Sequence, residues 1–315
     1  MTAGEERPGA HDGVFHGDDD ELLAATVPFL LDGLAAGETA VVVCGERCRE
    51  LLVDALPPDD RLHLLAPSDV YERPAGAIAN YQHMMDRYAR SGVSRVRVVV
   101  ELDFGATPAE WMEWSRFDAV VEHALGPYPM WIVCAYDRLR LPEPVLASAA
   151  LTHSHLRTGS LRTVNPDHLD PAEFLRRTAS NGPDPIESGP PVLDVADVRD
   201  LGELRGAVRR AALAGCAMPV HQVQEFVLAV NEVATNALLH GGSPVGVRLW
   251  AAAGRLVCTV TDRGAGFDDP FAGYLPGHDD GVVHVGMGLF ATRQVCDRVD
   301  FEHVSGGFSV RLLLG

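Results

Sequence analysis

Apolar residues recur at two different spacings along the first half of the chain, and the two alternate. Residues 20–38, DELLAATVPFLLDGLAAGE, carry them at helical intervals, open on acids and stop at a glycine, which predicts a helix. TAVVVC, at 39–44, is a short β-branched run of the kind buried strands show. HLLAPS, VRVVVELDF and MWIVCAYD are further strands by the same criterion, with helical stretches between them at AIANYQHMMDRYARSG and PAEWMEWSRFDAVVEHAL. Strands spaced by helices predict a mostly parallel sheet with helices on both faces.

The last part of the chain has a different rhythm. VRDLGELRGAVRRAALAG and PVHQVQEFVLAVNEVATNALLHGG read as two amphipathic helices, the second with proline at its start and glycine at its end. PVGVRLWAAA and RLVCTVTDRG follow as strands joined at Gly254. After a glycine-rich acidic loop comes a helix in GLFATRQVCDRV and a closing hairpin, DFEHVS and FSVRLLLG, turning at Gly306 and Gly307. This predicts an α/β sandwich, one largely antiparallel sheet with helices on one face. Between the two blocks, TASNGPDPIESGPPVLDV has no apolar periodicity and the proline and glycine content of a linker. The expected division is a domain at 1–177, a linker at 178–194 and a second domain at 195–315.

Composition narrows the function classes. At 315 residues and 47% hydrophobic, the chain has length and apolar content for two real cores. No apolar run is long enough to span a bilayer, and the acidic, polar N-terminus lacks a signal pattern, so a cytoplasmic protein is expected. The net charge of −18 (26 basic against 44 acidic side chains) repels phosphate backbones and disfavours direct binding of nucleic acid, while suiting basic protein partners. The cysteines, Cys44, Cys48, Cys134, Cys216, Cys258 and Cys296, form no CxxC pair and are expected to be reduced and mostly buried.

The candidate chemistry lies in NEVATNALLHGG, 231–242. Glu232, Asn236 and His240 are each four residues from the next, so they share one helical edge. Leu228, Val230, Val233, Ala234, Ala237 and Leu238 are expected to supply the buried surface. A carboxylate and an amide one turn apart suit oxygen-ligated Mg²⁺ and a positioned hydroxyl, although such a stripe by itself is more often a solvated face. A second piece is TVTDRGAGF, where Asp262 ends a strand and can accept from an exocyclic amine such as adenine's, and Gly264 and Gly266 let backbone approach a planar base. A third is HVGMGLFATRQVCD, where Gly286 and Gly288 precede a helix beginning near Leu289, whose free N–H groups suit phosphate.

Taken in order, the three pieces resemble the GHKL (HATPase_c) ATPase superfamily with its Bergerat nucleotide fold, over residues 193–315. The resemblance implies that ATP and Mg²⁺ are bound. It implies Asn236 as the Mg²⁺ ligand, Asp262 as the adenine contact, Gly264 and Gly266 as shapers of the base pocket, and Gly286, Gly288 and Leu289 at the phosphates. Glu232 would be the general base, with His240 near the phosphates. No histidine falls between His168 and His221, which argues against the phosphoacceptor hairpin of a sensor histidine kinase. LRGAVRRAALAG followed by VHQVQEFVLAVNEVATNALLHGG is instead similar to the anti-sigma-factor serine/threonine kinases. That resemblance implies a cytoplasmic bacterial regulator of transcription, of the stress-response type, that sequesters a sigma factor, phosphorylates a STAS-domain anti-anti-sigma partner and pairs as a homodimer. The rivals are a sensor histidine kinase-like protein and a non-catalytic ATP-binding anti-sigma module. The lid, 267–285, carries Asp268, Asp269, Asp279 and Asp280 and no lysine, a charge that opposes a nearby triphosphate unless screened.

The N-terminal block, in FLLDGLAAGETAVVVC, YDRLRLP and LTHSHL, resembles the MEDS sensory domain, a degenerate RecA-like unit. The phosphate-loop pattern GxxxxGK(S/T) is missing after the AVVVC strand, so nucleotide hydrolysis is not expected there. The resemblance implies ligand or partner sensing. Candidate contacts beyond the strand ends are Cys44, Glu101, Asp103 and Asp137, with His16 and His153 as additions. No ligand spacing supports a haem or metal site from His16, Cys44 and His153. Trp111, Trp114 and Phe117 share a helical face and are expected to pack in the core.

Overall fold

A computed structural model describes residues 10–71, 73–179, 182–275 and 287–315. The chain divides into two compact units, Met1–Arg177 and Thr178–Gly315. No helix among the described residues is long and apolar enough to cross a membrane.

The first unit runs β1 (Ala10–His16), α1 (Asp19–Ala35), β2 (Thr39–Val43), α2 (Glu46–Ala55), β3 (Leu62–Leu65), α3 (Pro74–Arg90), β4 (Val96–Glu101), α4 (Pro108–Leu125), β5 (Met130–Asp137), α5 (Glu143–Thr152), β6 (His155–Thr158), β7 (Leu161–Val164) and α6 (Pro171–Arg177). Its seven strands lie in the order β3-β2-β4-β5-β1-β6-β7, parallel except for the terminal β6–β7 pair. β2 and β5 are buried along their whole length, as strands covered on both faces must be. Alternate residues face opposite ways. Val14, Val42, Val99, Val133 and Ala135 pack under α1 and α2, while Cys134 and Tyr136 face α4 and α5.

β1 was not predicted, because its sequence, AHDGVFH, is too polar to read as a central strand. Its carboxylate is compensated inside the sheet, whereas His11 Nδ1 and both His16 ring nitrogens are buried with no hydrogen-bond partner among the described residues. The Asp12 carboxylate accepts from Arg157, Arg162 and the Trp131 indole at 2.8–3.1 Å. The two arginines lie over the Trp131 ring, and Arg157 also lies over Phe29. Trp114 and Phe117 are buried against each other and Tyr71, as expected of core aromatics, whereas Trp111, expected with them, is half-buried and its indole donates to the Gly105 carbonyl at 3.1 Å.

The second unit holds β8 (Leu193–Val195), α7 (Leu201–Gly215), α8 (Val220–His240), β9 (Gly246–Ala252), β10 (Arg255–Asp262), α9 (Met287–Val295), β11 (Arg298–Val304) and β12 (Gly307–Leu314). The sheet is antiparallel, in the order β11-β12-β10-β9-β8, and the three helices cover one face. α8 buries Val223, Phe226, Val227, Val230, Val233, Ala234 and Ala237. Leu228 and Leu238, expected in that surface, are 60% and 38% exposed instead. Each follows a buried residue by one step, a turn of about 100°, which carries it off the core stripe.

From Gly182 onward the proline-rich stretch expected as a linker is drawn onto the other face of this sheet. A short 3₁₀ turn at Pro185–Ser188 sets Ile186 against Trp250, Val257 and Leu313. Glu187 pairs with Arg311 at 2.7 Å and Asp184 with Arg255 at 2.5 Å. The Trp250 indole donates to the Gly189 carbonyl at 2.9 Å, and the chain continues into β8. Proline and glycine hide this in the sequence, since the segment makes few ladder bonds and only one large apolar contact.

Candidate functional site

The two glycines that break α8 are explained by what they touch. A Cβ on Gly241 would lie 2.5 Å from Asp262 Cγ, and one on Gly242 would lie 2.7 Å from the Arg263 carbonyl carbon. Only bare backbone lets the end of α8 seat against the end of β10. The junction is sewn by hydrogen bonds. The Gly242 and Gly264 N–H groups donate to Asp262 Oδ1 at 3.2 and 2.6 Å, and the Arg263 N–H donates to the Gly242 carbonyl at 2.7 Å. Oδ2 of Asp262 has no hydrogen-bond partner among the described residues. One oxygen is therefore spent on orientation and the other is free to accept.

Gly266 follows at φ +66°, a backbone conformation that side chains resist. A Cβ there would strike the Phe308 ring at 2.2 Å. Phe267, Phe301 and Phe308 form an aromatic floor, with centroids 4.8–6.3 Å apart, beneath this glycine loop.

Glu232 and Asn236 are half-buried on the edge of α8, and His240, its last residue, is exposed. Among the described residues no hydrogen bond occupies the Glu232 or Asn236 side chain. α9 begins beside them. A Cβ on Gly288 would lie 2.8 Å from Glu232 Oε2 and 3.6 Å from Asn236 Nδ2. Leu289 is the next residue of that helix, half-buried. The structure thus gathers Glu232, Asn236 and the start of α9 in one place, and Asp262, Gly264 and the end of α8 in another. The rise of α8 from Asn236 to Gly241 separates them by roughly 7 Å. Gly286, Asp279 and Asp280 lie outside the described residues. Asp268 is exposed and pairs with His303 at 3.0 Å.

Sequence reasoning missed what anchors the loop after Gly266. The Arg293 guanidinium donates to the Ala272 carbonyl at 2.8 Å and lies 4.1 Å from the Tyr274 ring centroid. Gly273, at φ +78°, passes within 2.8 Å of the Leu289 carbonyl by its Cβ position. A basic residue in the last turn of a short helix gives no sequence signal of such a contact.

In the first unit, three of the candidate residues converge. Glu101, Asp103 and Asp137 line a cavity of about 480 Å³ at the ends of β2, β4 and β5, together with Arg47 and Arg140. Arg47 approaches Asp137, and Arg140 approaches Glu101, each at 3.9 Å. Cys44, His16 and His153 do not line it. Cys44 and His16 lie on the sheet face covered by α1, whereas His153 lies on the opposite face against Tyr136, so the three cannot share an ion. Cys44 sits instead beside Cys48, whose thiol is pushed up in pKa by that neighbour and by burial. All six cysteines are buried and outside any disulfide.

Comparisons with known proteins agree with this anatomy. An α/β unit with a cavity at its parallel strand ends is followed by an antiparallel sandwich with an acid–amide helix edge. The family model described as "MEDS: MEthanogen/methylotroph, DcmR Sensory domain" matches residues 10–154, and the model described as "Histidine kinase-like ATPase domain" matches residues 195–314. The chain carries a MEDS domain at residues 10–154 and a histidine kinase-like, GHKL-type ATPase domain at residues 195–314. Among solved structures it is similar to "The crystal structure of the RsbU and RsbW domains of Rv1364c from Mycobacterium tuberculosis". Identity there is 15%, coverage is 65% of this chain and 43% of that one, and the TM-score is 0.27. No curated protein matches the chain.

Proposed function

We propose that this protein is an ATP-dependent anti-sigma serine/threonine kinase whose output is governed by its N-terminal sensory domain. The observation that carries the reading is the convergence of Glu232, Asn236 and Gly288. A carboxylate, an amide and a side-chain-free helix start meet with no described partner on either polar group. Asp262 suits ATP, because its uncommitted oxygen can accept from an exocyclic amine such as adenine's. The donor set fits Mg²⁺ as well, with Asn236 offering its amide oxygen, and the ion would supply charge neutralisation at the phosphates.

In this reading Glu232 takes the proton of a partner's serine or threonine hydroxyl as that oxygen bonds to the γ-phosphorus. The bond to the bridging oxygen breaks and ADP departs with it. The start of α9 holds the phosphates through its N–H groups. The partner is a STAS-domain anti-anti-sigma protein, and its phosphorylation adds roughly −1.5 to −2 charges to a contact surface facing an acidic kinase. Release of that partner leaves the kinase free to hold a sigma factor. The acidic and basic cavity at Glu101, Asp103, Asp137, Arg47 and Arg140 is the place for a sensed polar ligand, which shifts the output only by binding the kinase's states unequally.

The test incubates the full chain with γ-labelled ATP, Mg²⁺ and candidate STAS-domain proteins. Acid-stable label on a serine or threonine of the partner supports the reading. Glu232→Gln is expected to lower transfer about 10²- to 10⁴-fold while changing ATP affinity little. Acid-labile phosphohistidine on the chain itself would favour the sensor histidine kinase, and nucleotide binding without transfer would favour the non-catalytic module.

A further inference from the structure

In the MEDS domain, on the sheet face away from Cys44 and His16, four side chains from distant parts of the sequence meet in the interior. They are His11 of β1, Asp118 of α4, Cys134 of β5 and His153, which follows α5. All are buried, between 0% and 5% exposed. Their ligating atoms all lie within 4.8 Å of one another. His11 Nε2 is 3.2 Å from Cys134 Sγ and 3.5 Å from Asp118 Oδ1, and His153 Nε2 is 3.7 Å from Asp118 Oδ1.

Hydrogen bonds from outside the cluster orient two of the four, Asp118 and His153, while His11 Nδ1 is buried with no partner among the described residues. The hydroxyls of Tyr136 and Thr152 both donate to Asp118 Oδ2, at 2.8 and 2.6 Å. Oδ1 is left buried with no hydrogen-bond partner, facing the two imidazoles. His153 Nδ1 lies 2.8 Å from the Ala149 carbonyl, an acceptor, so Nδ1 carries the hydrogen and Nε2 presents a lone pair to the cluster. Gly13 makes the room: a Cβ there would stand 3.1 Å from the His153 ring. An outer ring of donors and acceptors that fixes the tautomer of one ligand and the orientation of another is what metal ligands require.

We propose that His11, Asp118, Cys134 and His153 form a tetrahedral site for a divalent transition ion, zinc by preference. Zinc takes nitrogen at about 2.0–2.1 Å, oxygen at about 2.0–2.2 Å and sulfur at about 2.3 Å, which sets tetrahedral edges of roughly 3.2–3.6 Å. Three of the six separations, 3.2, 3.5 and 3.7 Å, lie at those edges, and the remaining pairs, all within 4.8 Å, would draw in on an ion. A thiolate and two imidazoles exclude Mg²⁺ and Ca²⁺, which want oxygen cages. Charge agrees as well. The Cys134 thiolate and the Asp118 carboxylate together cancel a dication, so the loaded site is neutral, the condition for an ion in a dry interior. The site pins α4 and the end of α5 to β1 and β5. Cys134 and Tyr136 alternate along β5 with Ala135 and Asp137, which line the polar cavity on the same strand end. The ion thus sits one residue's alternation away from the surface a sensed ligand touches.

The test uses the full-length chain, freed of metal, then loaded with Zn²⁺ or Co²⁺ and desalted. One equivalent per chain is expected by elemental analysis. The cobalt form is expected to show visible d–d bands of tetrahedral coordination and a thiolate-to-cobalt charge-transfer band. Cys134→Ser should abolish that band, whereas Cys216→Ser, in the other unit, should leave it. Tyr136→Phe keeps all four ligands and should weaken binding about 10-fold. Folded wild-type protein that retains no metal, or a cobalt spectrum without the charge-transfer band, overturns the proposal whether or not any variant folds. So does a band that survives Cys134→Ser.

Discussion

The Gly264 N–H donates to Asp262 Oδ1 at 2.6 Å, and that bond determines what the other carboxylate oxygen can do. Held by Gly264 and, at 3.2 Å, by Gly242, the carboxylate cannot swing, so Oδ2 is a fixed acceptor. Asp262→Asn keeps one oxygen for those N–H groups and puts an amide NH₂ where Oδ2 stood, so it should face an adenine amine with a donor. ATP affinity is expected to fall about 10- to 100-fold, the cost of one lost and one unsatisfied hydrogen bond. Isothermal titration of wild type and variant with ATP, at fixed Mg²⁺, measures it. An unchanged affinity would remove Asp262 from the base pocket.

Gly288 stands as close to the proposed base as a residue can. Its Cβ position is 2.8 Å from Glu232 Oε2, so Gly288→Val must displace the carboxylate or the start of α9. Phosphotransfer is expected to fall at least about 100-fold, because an ångström of misplacement is that costly. Single-turnover transfer to a STAS-domain partner, with ATP binding checked in parallel, separates this from a binding defect.

Gly266→Ala should be felt as instability. The position is at φ +66° and its Cβ would lie 2.2 Å from the Phe308 ring. Backbone strain and overpacking together should cost the second unit about 2–4 kcal/mol. A denaturant melt followed by Trp250 fluorescence reads it, and a loss within about 0.5 kcal/mol would mean that the loop can rearrange freely.

The stretch expected as a linker should behave as part of the ATPase domain. Ile186 sits on Trp250, Val257 and Leu313, flanked by two ion pairs. In the full chain, residues 182–195 should resist limited proteolysis. Ile186→Asp should open them to cleavage and lower the stability of the unit by about 1–3 kcal/mol. Rapid cleavage of the wild type there would show that the docking does not hold in solution.

The start of α4 has a pH signature. Glu110, in the capping box of α4, accepts from the Thr107 hydroxyl and from the Thr107 and Ala106 N–H groups at 2.8–2.9 Å, and these bonds hold its carboxyl below the usual 4.5. A depressed carboxyl stabilises the fold above its unfolded pKa, and that contribution is lost as the pH falls through the folded value. Glu110→Gln should therefore cost on the order of 0.5–1 kcal/mol at neutral pH, the group being largely exposed. The gap between variant and wild type should close in acid. Melts across that range test the sign: a gap that widens as the pH falls contradicts it.

How much of this was legible depended on whether a residue's job shows in its neighbours along the chain. The second unit's strands show as short apolar runs set off by turn glycines, and the Glu232, Asn236, His240 stripe is visible because helix geometry converts spacing into proximity. The glycines at 241 and 242 were visible as a break but not as a seat for Asp262, since that contact joins residues about twenty apart. β1 was hidden because its carboxylate, Asp12, is satisfied by arginines some 150 positions away, so no local pattern marks it as buried. The His11, Asp118, Cys134, His153 cluster was hidden for the same reason, with four ligands from four elements. His16 and Cys44 looked like companions of His153, yet parity along their strands sends them to the other face. Glu101, Asp103 and Asp137 were legible because parallel strands all end on one side.

Magnesium-bound ATP is expected to bind in the second unit. Isothermal titration of the full-length chain with ATP, run with and without Mg²⁺, tests it most directly. One site per chain, with affinity that depends on Mg²⁺ and loses that dependence in Asn236→Ala, is the predicted result. No heat of binding from correctly folded protein in the presence of Mg²⁺ would contradict it.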